Sequence, residues 1–193
     1  MRIYFAGPLF TPYVREFISR HAQILRDNGI DPFVPHENFR PIIPTVGIRF
    51  LVEHGWIQPQ DADDPRLPDR ANDWIRGGQI KPQDLGMPEL TPGRIFEVDY
   101  GGLSSADAVV VLLDGTQVDD GTACELGIFY GLLRQDASKK GIVGFMTDSR
   151  GTRKASTNWG LNLFVLGLLD ECGKIFTQFD DVVRQLKQWD AER

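Results

Sequence analysis

Glu125 is the side chain of this sequence best placed to act as a nucleophile. It closes the stretch "DDGTACE" at 119–125, where a glycine and three small residues precede the acid. An apolar run at 106–113 predicts a buried strand, and a helix is predicted at 121–134, so Glu125 would lie in the first helical turn. There the helix dipole and the unpaired amide groups would favour the ionised carboxylate. Such a carboxylate can attack the anomeric carbon of a sugar, although a glutamate at a helix start can equally be a capping residue.

Two further acids could join Glu125 in one site. Asp119 lies six residues before it, in the loop that leads to the helix, and Asp99 falls on a helix predicted at 94–104. Each acid alone is typical of a solvated surface. The three together favour a functional role for Glu125 over a capping role.

The elements around these acids alternate between strand and helix. Strands are predicted at 2–7, 31–35, 107–113, 141–147 and 173–177, and helices at 13–28, 94–104, 121–134, 161–169 and 179–189. This alternation predicts parallel βαβ units in an α/β, doubly wound sheet. Five strands favour the flavodoxin-like order 2-1-3-4-5, in which a crevice opens at the carboxyl ends of strands 1 and 3.

That order brings three loops to one rim of the sheet. They are "AGPLF" at 6–10, "LDGTQVDDGTACE" at 113–125 and "MTDSRGTRK" at 146–154. We expect Gly7, Phe10 and Gly121 to contact substrate there. After the second strand, Asn38 is the candidate for a substrate contact, with His36 and Glu37 beside it.

A proline-rich insertion at about 40–92 interrupts the alternation. It holds eight of the twelve prolines of the chain. A long segment of this kind inside a compact domain is usually functional or partly disordered. We predict a single domain over 1–193, with short helices near 47–56 and 70–76 in the insertion. The insertion would be either a lid over the crevice or a peripheral segment, which could also contact another subunit.

Composition limits the classes of partner. Hydrophobic residues make up 41% of the chain and charged residues 25%, which is typical of a soluble globular protein. The net charge of −6 argues against binding to a nucleic acid polymer or to an anionic membrane. With two cysteines and three scattered histidines the sequence predicts no disulfide framework, no metal and no cofactor, and we expect a cytoplasmic protein.

Four segments, in this order, carry a resemblance to a known family. They are "IYFAGPLF", "EVDYGGLSSADAVVVLLDG", "DDGTACELGIFYGL" and "GLNLFVLG". The most specific part runs from Asp99 to Gly131 and contains the pattern D-x-G-x-x-x-E-x-G. Together they resemble the nucleoside 2-deoxyribosyltransferase family over most of the chain outside 40–92.

The resemblance implies a role for each matching residue. Glu125 would be the nucleophile that attacks C1′ of a 2′-deoxynucleoside and holds a deoxyribosyl ester until a free nucleobase takes the sugar. Asp99 and Asp119 would orient the sugar or protonate the leaving base, and Tyr4 would position the nucleophile. Asn162 would reach the 5′-hydroxyl in the site of a neighbouring subunit, which implies a homo-oligomer.

Two other functions fit the same residues. One is an N-glycosidase that passes the glycosyl ester to water, and the other is a nucleotide-binding module without turnover. Relatives that act on 5′-monophosphates carry a phosphate loop rich in serine and arginine after strand 1. Here that loop reads "GPLFTPYVREF", with no serine and only the distant Arg15, which favours a substrate with a free 5′-hydroxyl.

Overall fold

The computed structural model describes residues 1–38, 43–87, 91–152 and 160–192 of the chain. Contacts between Cα atoms divide it into two compact units, one formed by Met1–His36 with Glu97–Arg193 and the other by Glu37–Phe96. The predicted insertion at 40–92 lies in the second unit, apart from 40–42 and 88–90, which are outside the described residues.

The first unit is built on a five-stranded parallel sheet. Its strands are β1 (Arg2–Ala6), β2 (Asp31–Phe33), β3 (Ala108–Leu112), β4 (Gly141–Phe145) and β5 (Gly173–Phe176). They lie in the order β2-β1-β3-β4-β5, with all neighbouring pairs parallel. The predicted fold class and strand order are therefore confirmed.

Burial explains why these segments form strands. In β3 and β4 every residue is buried, as expected for parallel strands that are covered on both faces. β2 contains Pro32, which has no amide hydrogen to donate to a neighbouring strand. The proline is tolerated because β2 lies at the edge of the sheet.

The helices follow the predicted alternation. They are α1 (Pro12–Asp27), α2 (Pro35–Asn38), α3 (Thr45–Glu53), α4 (Leu67–Arg76), α5 (Pro92–Ser105), α6 (Asp120–Leu133), α7 (Ser149–Thr152), α8 (Leu163–Cys172) and α9 (Phe179–Ala191). In the described part of the chain, no helix is long and apolar enough to cross a bilayer.

Alternating strand residues face two separate cores. On one face of the sheet Ile3 and Phe5 of β1 pack with residues of α1 and α9. On the other face Tyr4 and Ala6 pack with residues of α5, α6 and α8. Because side chains alternate along a strand, Tyr4 is directed to the layer that contains both Asp99 and Glu125.

The second unit has a hydrophobic core of its own. Its buried residues come from α3, α4 and the segments around them, and are Leu51, Ile57, Leu67, Ala71, Ile80 and Leu85. The two short helices predicted in the insertion correspond to α3 and α4. The role of the insertion as a lid or as a contact surface stays a prediction.

Candidate active site

A hydrogen bond joins Tyr4 to Glu125. The Tyr4 hydroxyl donates to Glu125 Oε1 at 2.6 Å, across 121 residues of sequence. Tyr4 is completely buried on β1, so its ring is fixed and the hydroxyl can point only towards α6. This bond gives the carboxylate of Glu125 a defined orientation.

The predicted position of Glu125 in the first turn of its helix is wrong. α6 begins at Asp120, and Asp119 is its N-cap, with a side chain that accepts from the amide of Thr122. Glu125 is thus the sixth residue of the helix and lies in its second turn. Since the helix dipole acts mainly on the first turn, it does not set the charge of this carboxylate.

Burial, instead, governs the ionisation of Glu125 and Asp99. It raises the pKa of Glu125 from 4.5 to about 7; the bond from Tyr4 opposes this rise, whereas Asp99 and Asp119 add to it. Burial also raises the pKa of Asp99 to about 6. The pKa of Tyr4 lies well above its ordinary value, because of burial first and then the neighbouring Glu125 and Asp99. These effects show that the structure brings the four predicted catalytic residues into one electrostatic group.

Asp99 occupies an unusual environment on α5. Its Oδ1 is buried and makes no hydrogen bond within the described residues. A buried carboxylate oxygen without a donor strongly favours the protonated form. Asp99 is therefore suited to store a proton close to Glu125.

Asp119 is held differently from Asp99. Its Oδ2 accepts from the amide of Thr122 at 3.0 Å and from the hydroxyl of the same residue at 3.1 Å. Thr122 is 1% exposed, so both donors are fixed. Thr122 was not identified from the sequence, although a threonine three residues after a capping aspartate could have indicated this pair of bonds.

A cleft of about 640 Å³, here called the rim cleft, opens between the loops that follow β1, β3 and β4. It confirms that these three loops meet at one rim; residues 153–154 of the predicted third loop lie outside the described residues. Asp119 lines the rim cleft, whereas Tyr4, Asp99 and Glu125 are not among its described lining residues. The lining residues are Pro8, Tyr13, Val14, Phe17, Leu112, Asp114, Gly115, Thr116, Gln117, Asp119, Asp120 and Thr147.

Polar contacts hold two of these loops together. The Asp114 carboxylate accepts from the amide and the hydroxyl of Thr147. Asp148 accepts from the amide of Gly115 at 3.1 Å and forms an ion pair with Arg150 at 2.8 Å. The loop that leads to Asp119 is thereby tied to the loop after β4, a connection that spacing along the chain did not predict.

The predicted glycines have packing roles. A Cβ atom at Gly7 would lie 3.0 Å from Ile18 Cδ1 and 3.1 Å from Leu112 Cβ. The chain therefore leaves β1 in close contact with the core that includes residues of α1 and α9. Gly121 lies in the first turn of α6, where a Cβ atom would be 3.3 Å from Asp119 Oδ2. Both glycines permit a close approach next to the site, and their contact with substrate stays a prediction.

The other predicted binding residues lie on the surface. Phe10 is 79% exposed, and Asn162 is exposed at the start of α8, where its side chain accepts from the amide of Phe164 at 2.9 Å. Asn38 ends α2 and belongs to the second unit. Phe10 and Asn162 have no contact with Tyr4, Asp99 or Glu125 among those observed in the described residues. The substrate roles of Phe10, Asn38 and Asn162 stay predictions.

Comparison with known proteins gives the family and the fold. A family model described as nucleoside 2-deoxyribosyltransferase matches residues 3–179. The structure is similar to that of a conserved protein from Enterococcus faecalis V583, with a TM-score of 0.61, 22% identity, and coverage of 97% of this chain and 98% of that one. It is also similar to a 2-deoxyribosyltransferase from Bacillus psychrosaccharolyticus, with a TM-score of 0.52, 22% identity, and coverage of 95% and 90%. No curated protein matches the sequence significantly.

Proposed function

The chain belongs to the nucleoside 2-deoxyribosyltransferase family, and we propose that it exchanges the base of 2′-deoxynucleosides through an ester on Glu125. The observation that carries this proposal is the bond from Tyr4 to Glu125 at 2.6 Å, in a partly buried group that includes Asp99. A nucleophile and a proton donor that act on the same sugar are what a retaining double displacement requires.

In the first step a Glu125 oxygen attacks C1′ of the nucleoside. The bond from C1′ to the base nitrogen breaks, its electron pair stays on the base, and the base takes a proton from Asp99. Positive charge develops on the sugar as the bond breaks, and the nearby carboxylates stabilise it. A 2′-deoxy sugar ionises more readily than ribose, because it has no electron-withdrawing hydroxyl beside the reacting carbon.

In the second step a nitrogen of a free nucleobase attacks C1′ of the ester. The ester bond breaks, its electron pair returns to Glu125, and the incoming base gives its proton to Asp99. Two inversions restore the original configuration at C1′. Glu125 is then again a carboxylate and Asp99 again carries a proton, as before the first step.

The first of these reaction steps requires that Glu125 be charged and Asp99 be protonated at the same time. The hydrogen bond from Tyr4 favours charge on Glu125, whereas Asp99 Oδ1, buried without a donor among the described residues, favours the neutral acid. With pKa values of about 6 for Asp99 and about 7 for Glu125, the pair holds about one proton between these two pH values. That proton lies on Glu125 in most molecules, and the reactive form, with the proton on Asp99, is the smaller population. The loss of this last proton sets the alkaline limb of the pH profile. We therefore expect a bell-shaped dependence of kcat/KM on pH, with its maximum in that interval.

The surroundings favour a neutral nucleoside over a 5′-monophosphate. The described residues that line the rim cleft include Asp114, Asp119 and Asp120 and no lysine or arginine. Arg15, the nearest arginine after β1 in the sequence, donates to the backbone carbonyl of Leu9 at 2.8 Å. A phosphate beside these acids would be repelled.

Asn162 is proposed to complete the site of another copy of the chain. It is followed by Leu163 and Phe164, which are 70% and 87% exposed and would be shielded from water in an oligomer. Mixing tests this: Glu125→Gln and Asn162→Ala chains, each weakly active alone, should regain activity when they are unfolded and refolded together. If the mixture shows only the sum of the separate activities, Asn162 does not act in a neighbour's site.

The transfer itself is tested with deoxyadenosine in the presence and absence of cytosine. We expect deoxycytidine and adenine when cytosine is present, and little free deoxyribose when it is absent. Free deoxyribose at the same rate under both conditions would indicate a hydrolase instead. Binding of deoxyadenosine without either product would indicate a module without turnover.

A further inference from the structure

The ring of Phe33 lies between Tyr4 and α5. It stacks on the Tyr4 ring with centroids 5.5 Å apart and planes 13° from parallel. Gly102 of α5 also faces this ring, and a Cβ atom at that position would lie 2.5 Å from Phe33 Cε1 and 2.6 Å from Cδ1. Such distances are too short for carbon atoms in van der Waals contact, which are normally 3.5 to about 4 Å apart. α5 approaches Phe33 this closely only because residue 102 is glycine.

The same face of α5 carries Asp99. Asp99 and Gly102 are three residues apart, so they are neighbours along one side of the helix. The Asp99 charge contributes to the raised pKa of both Tyr4 and Glu125, which places its carboxyl near both. Since Asp99 Oδ1 has no hydrogen bond among the described residues, its position there depends on how α5 packs.

We propose that Phe33 and Gly102 form a positioning contact that determines how close the Asp99 carboxyl lies to the Tyr4–Glu125 pair. Phe33 acts through the two residues that it contacts. Its ring stacks against the Tyr4 ring, and its contact with Gly102 sets the distance between α5 and the sheet. Neither Phe33 nor Gly102 touches the reacting atoms. The inference rests on the proposed function, because it assigns these two residues to the same reaction.

The charged surroundings of this contact are defined. Tyr4 from β1, Asp99 from α5 and Asp119 from the loop before α6 act on Glu125. Arg2 lies with its guanidinium carbon 5.9 Å from the centre of the Phe33 ring. A displacement of α5 changes the distance from Asp99 to Glu125, while Asp119 and Tyr4 stay in place on other elements.

Gly102→Ala tests the proposal, with Gly101→Ala as the matched control. At Gly101 a Cβ atom would have no neighbour within 4 Å, so both variants add a methyl group to the same helix and only one meets Phe33. We expect Gly102→Ala to lower kcat by about 10-fold or more, because a displacement on the order of 1 Å can cost a factor of about 100. Gly101→Ala should keep the kcat of the wild-type protein.

The pH profile separates this role from a merely structural one. With Asp99 farther away, its charge raises the pKa of Glu125 less. The alkaline limb of kcat/KM, where the last proton leaves the pair, should therefore move to lower pH in Gly102→Ala. The same downward shift should appear in the titration of the ¹³C-labelled Glu125 carboxyl by NMR, a measurement that does not need turnover. If the wild-type protein transfers no base but the NMR shift is found, the proposed function fails while the positioning contact stands.

A double variant completes the test. Phe33→Leu in the Gly102→Ala background removes the ring that the new methyl group meets, so kcat and the alkaline limb should return towards the wild-type values, even if Gly102→Ala alone does not fold. No recovery in the double variant would overturn the proposal. An unchanged kcat and pH profile in folded Gly102→Ala would overturn it as well.

Discussion

Replacing Glu125 by glutamine is expected to stabilise this protein at neutral pH, because the carboxyl is buried beside other acids. Its pKa is raised from 4.5 to about 7 by burial, with further contributions from Asp99 and Asp119. A folded-state pKa above the unfolded value means that the folded protein resists losing this proton. The stabilising contribution is fully present below about pH 4.5 and is lost as the pH rises through about 7. Glutamine cannot ionise and avoids this loss.

The size of the effect follows from the two pKa values. One tenfold change in an ionisation equilibrium corresponds to about 1.4 kcal/mol, so the rise from 4.5 to about 7 corresponds to about 3 kcal/mol at most. The hydroxyl of Tyr4 can still donate to the amide oxygen of glutamine, so the variant keeps that hydrogen bond. The difference in free energy of unfolding between Glu125→Gln and wild type should therefore grow by up to about 3 kcal/mol between pH 4 and pH 8.

Urea unfolding followed by far-UV circular dichroism at several pH values measures this difference. Glu16→Gln is the control, since Glu16 is exposed and pairs with Arg20 on the surface of α1; it should change the free energy of unfolding by less than about 0.5 kcal/mol at every pH. A difference for Glu125→Gln that stays constant with pH would refute the reasoning. Glu125 would then not be a buried acid that resists ionisation.

Substitutions at three further positions probe the neighbours of Glu125. Asp99→Asn should lower kcat by about 100-fold or more and remove the alkaline limb of the pH profile, since asparagine has no acidic proton to give; an intact alkaline limb would assign that proton to another group. Tyr4→Phe removes the bond that lowers the pKa of Glu125, so the alkaline limb should move to higher pH and the protein should lose about 1 kcal/mol of stability; a limb that stays in place would contradict the role of the bond. Thr122→Val removes one of the two bonds to Asp119 Oδ2 and should raise KM, whereas Thr122→Ser should keep it; equal KM values in kinetic assays of the two variants would show that this hydroxyl does not orient Asp119.

The sheet could be predicted from the sequence because its strands are short apolar runs that alternate with amphipathic helices. β3 and β4 are completely buried, so their sequences are almost purely apolar, and the order of the elements restricts the connections between them. The loops that meet at the rim follow from that order. The position of a site at this rim could therefore be predicted from the sequence, whereas the way the site works could not be predicted from the order of the elements.

The charge state of Glu125 could not be predicted in the same way. The pattern "DDGTACE" suggested a helix start at Gly121, whereas the cap is Asp119 and the helix begins one residue earlier, at Asp120. Burial depends on residues more than 100 positions away, such as Tyr4, and local spacing contains no information about them. For this reason the expected ionised carboxylate is instead one whose pKa lies near neutrality.

The contact of Phe33 with Gly102 was missed for a similar reason. Phe33 ends a short edge strand and Gly102 lies inside a helix, where a glycine costs about 1 kcal/mol relative to alanine. The second glycine of "DYGGL" was thus a local signal of a close approach. Its partner could be identified only from the folded structure.

Intact-protein mass spectrometry tests the central claim most directly. The protein is incubated with a 2′-deoxynucleoside and no acceptor base, the reaction is quenched in acid, and the mass of the intact protein is measured. We expect a population heavier by one deoxyribosyl group, with the added mass on the peptide that contains Glu125, lost on addition of a free base and absent from Glu125→Gln. An adduct on a different residue, or base exchange that continues at the wild-type rate in Glu125→Gln, would contradict the assignment of Glu125 as the nucleophile.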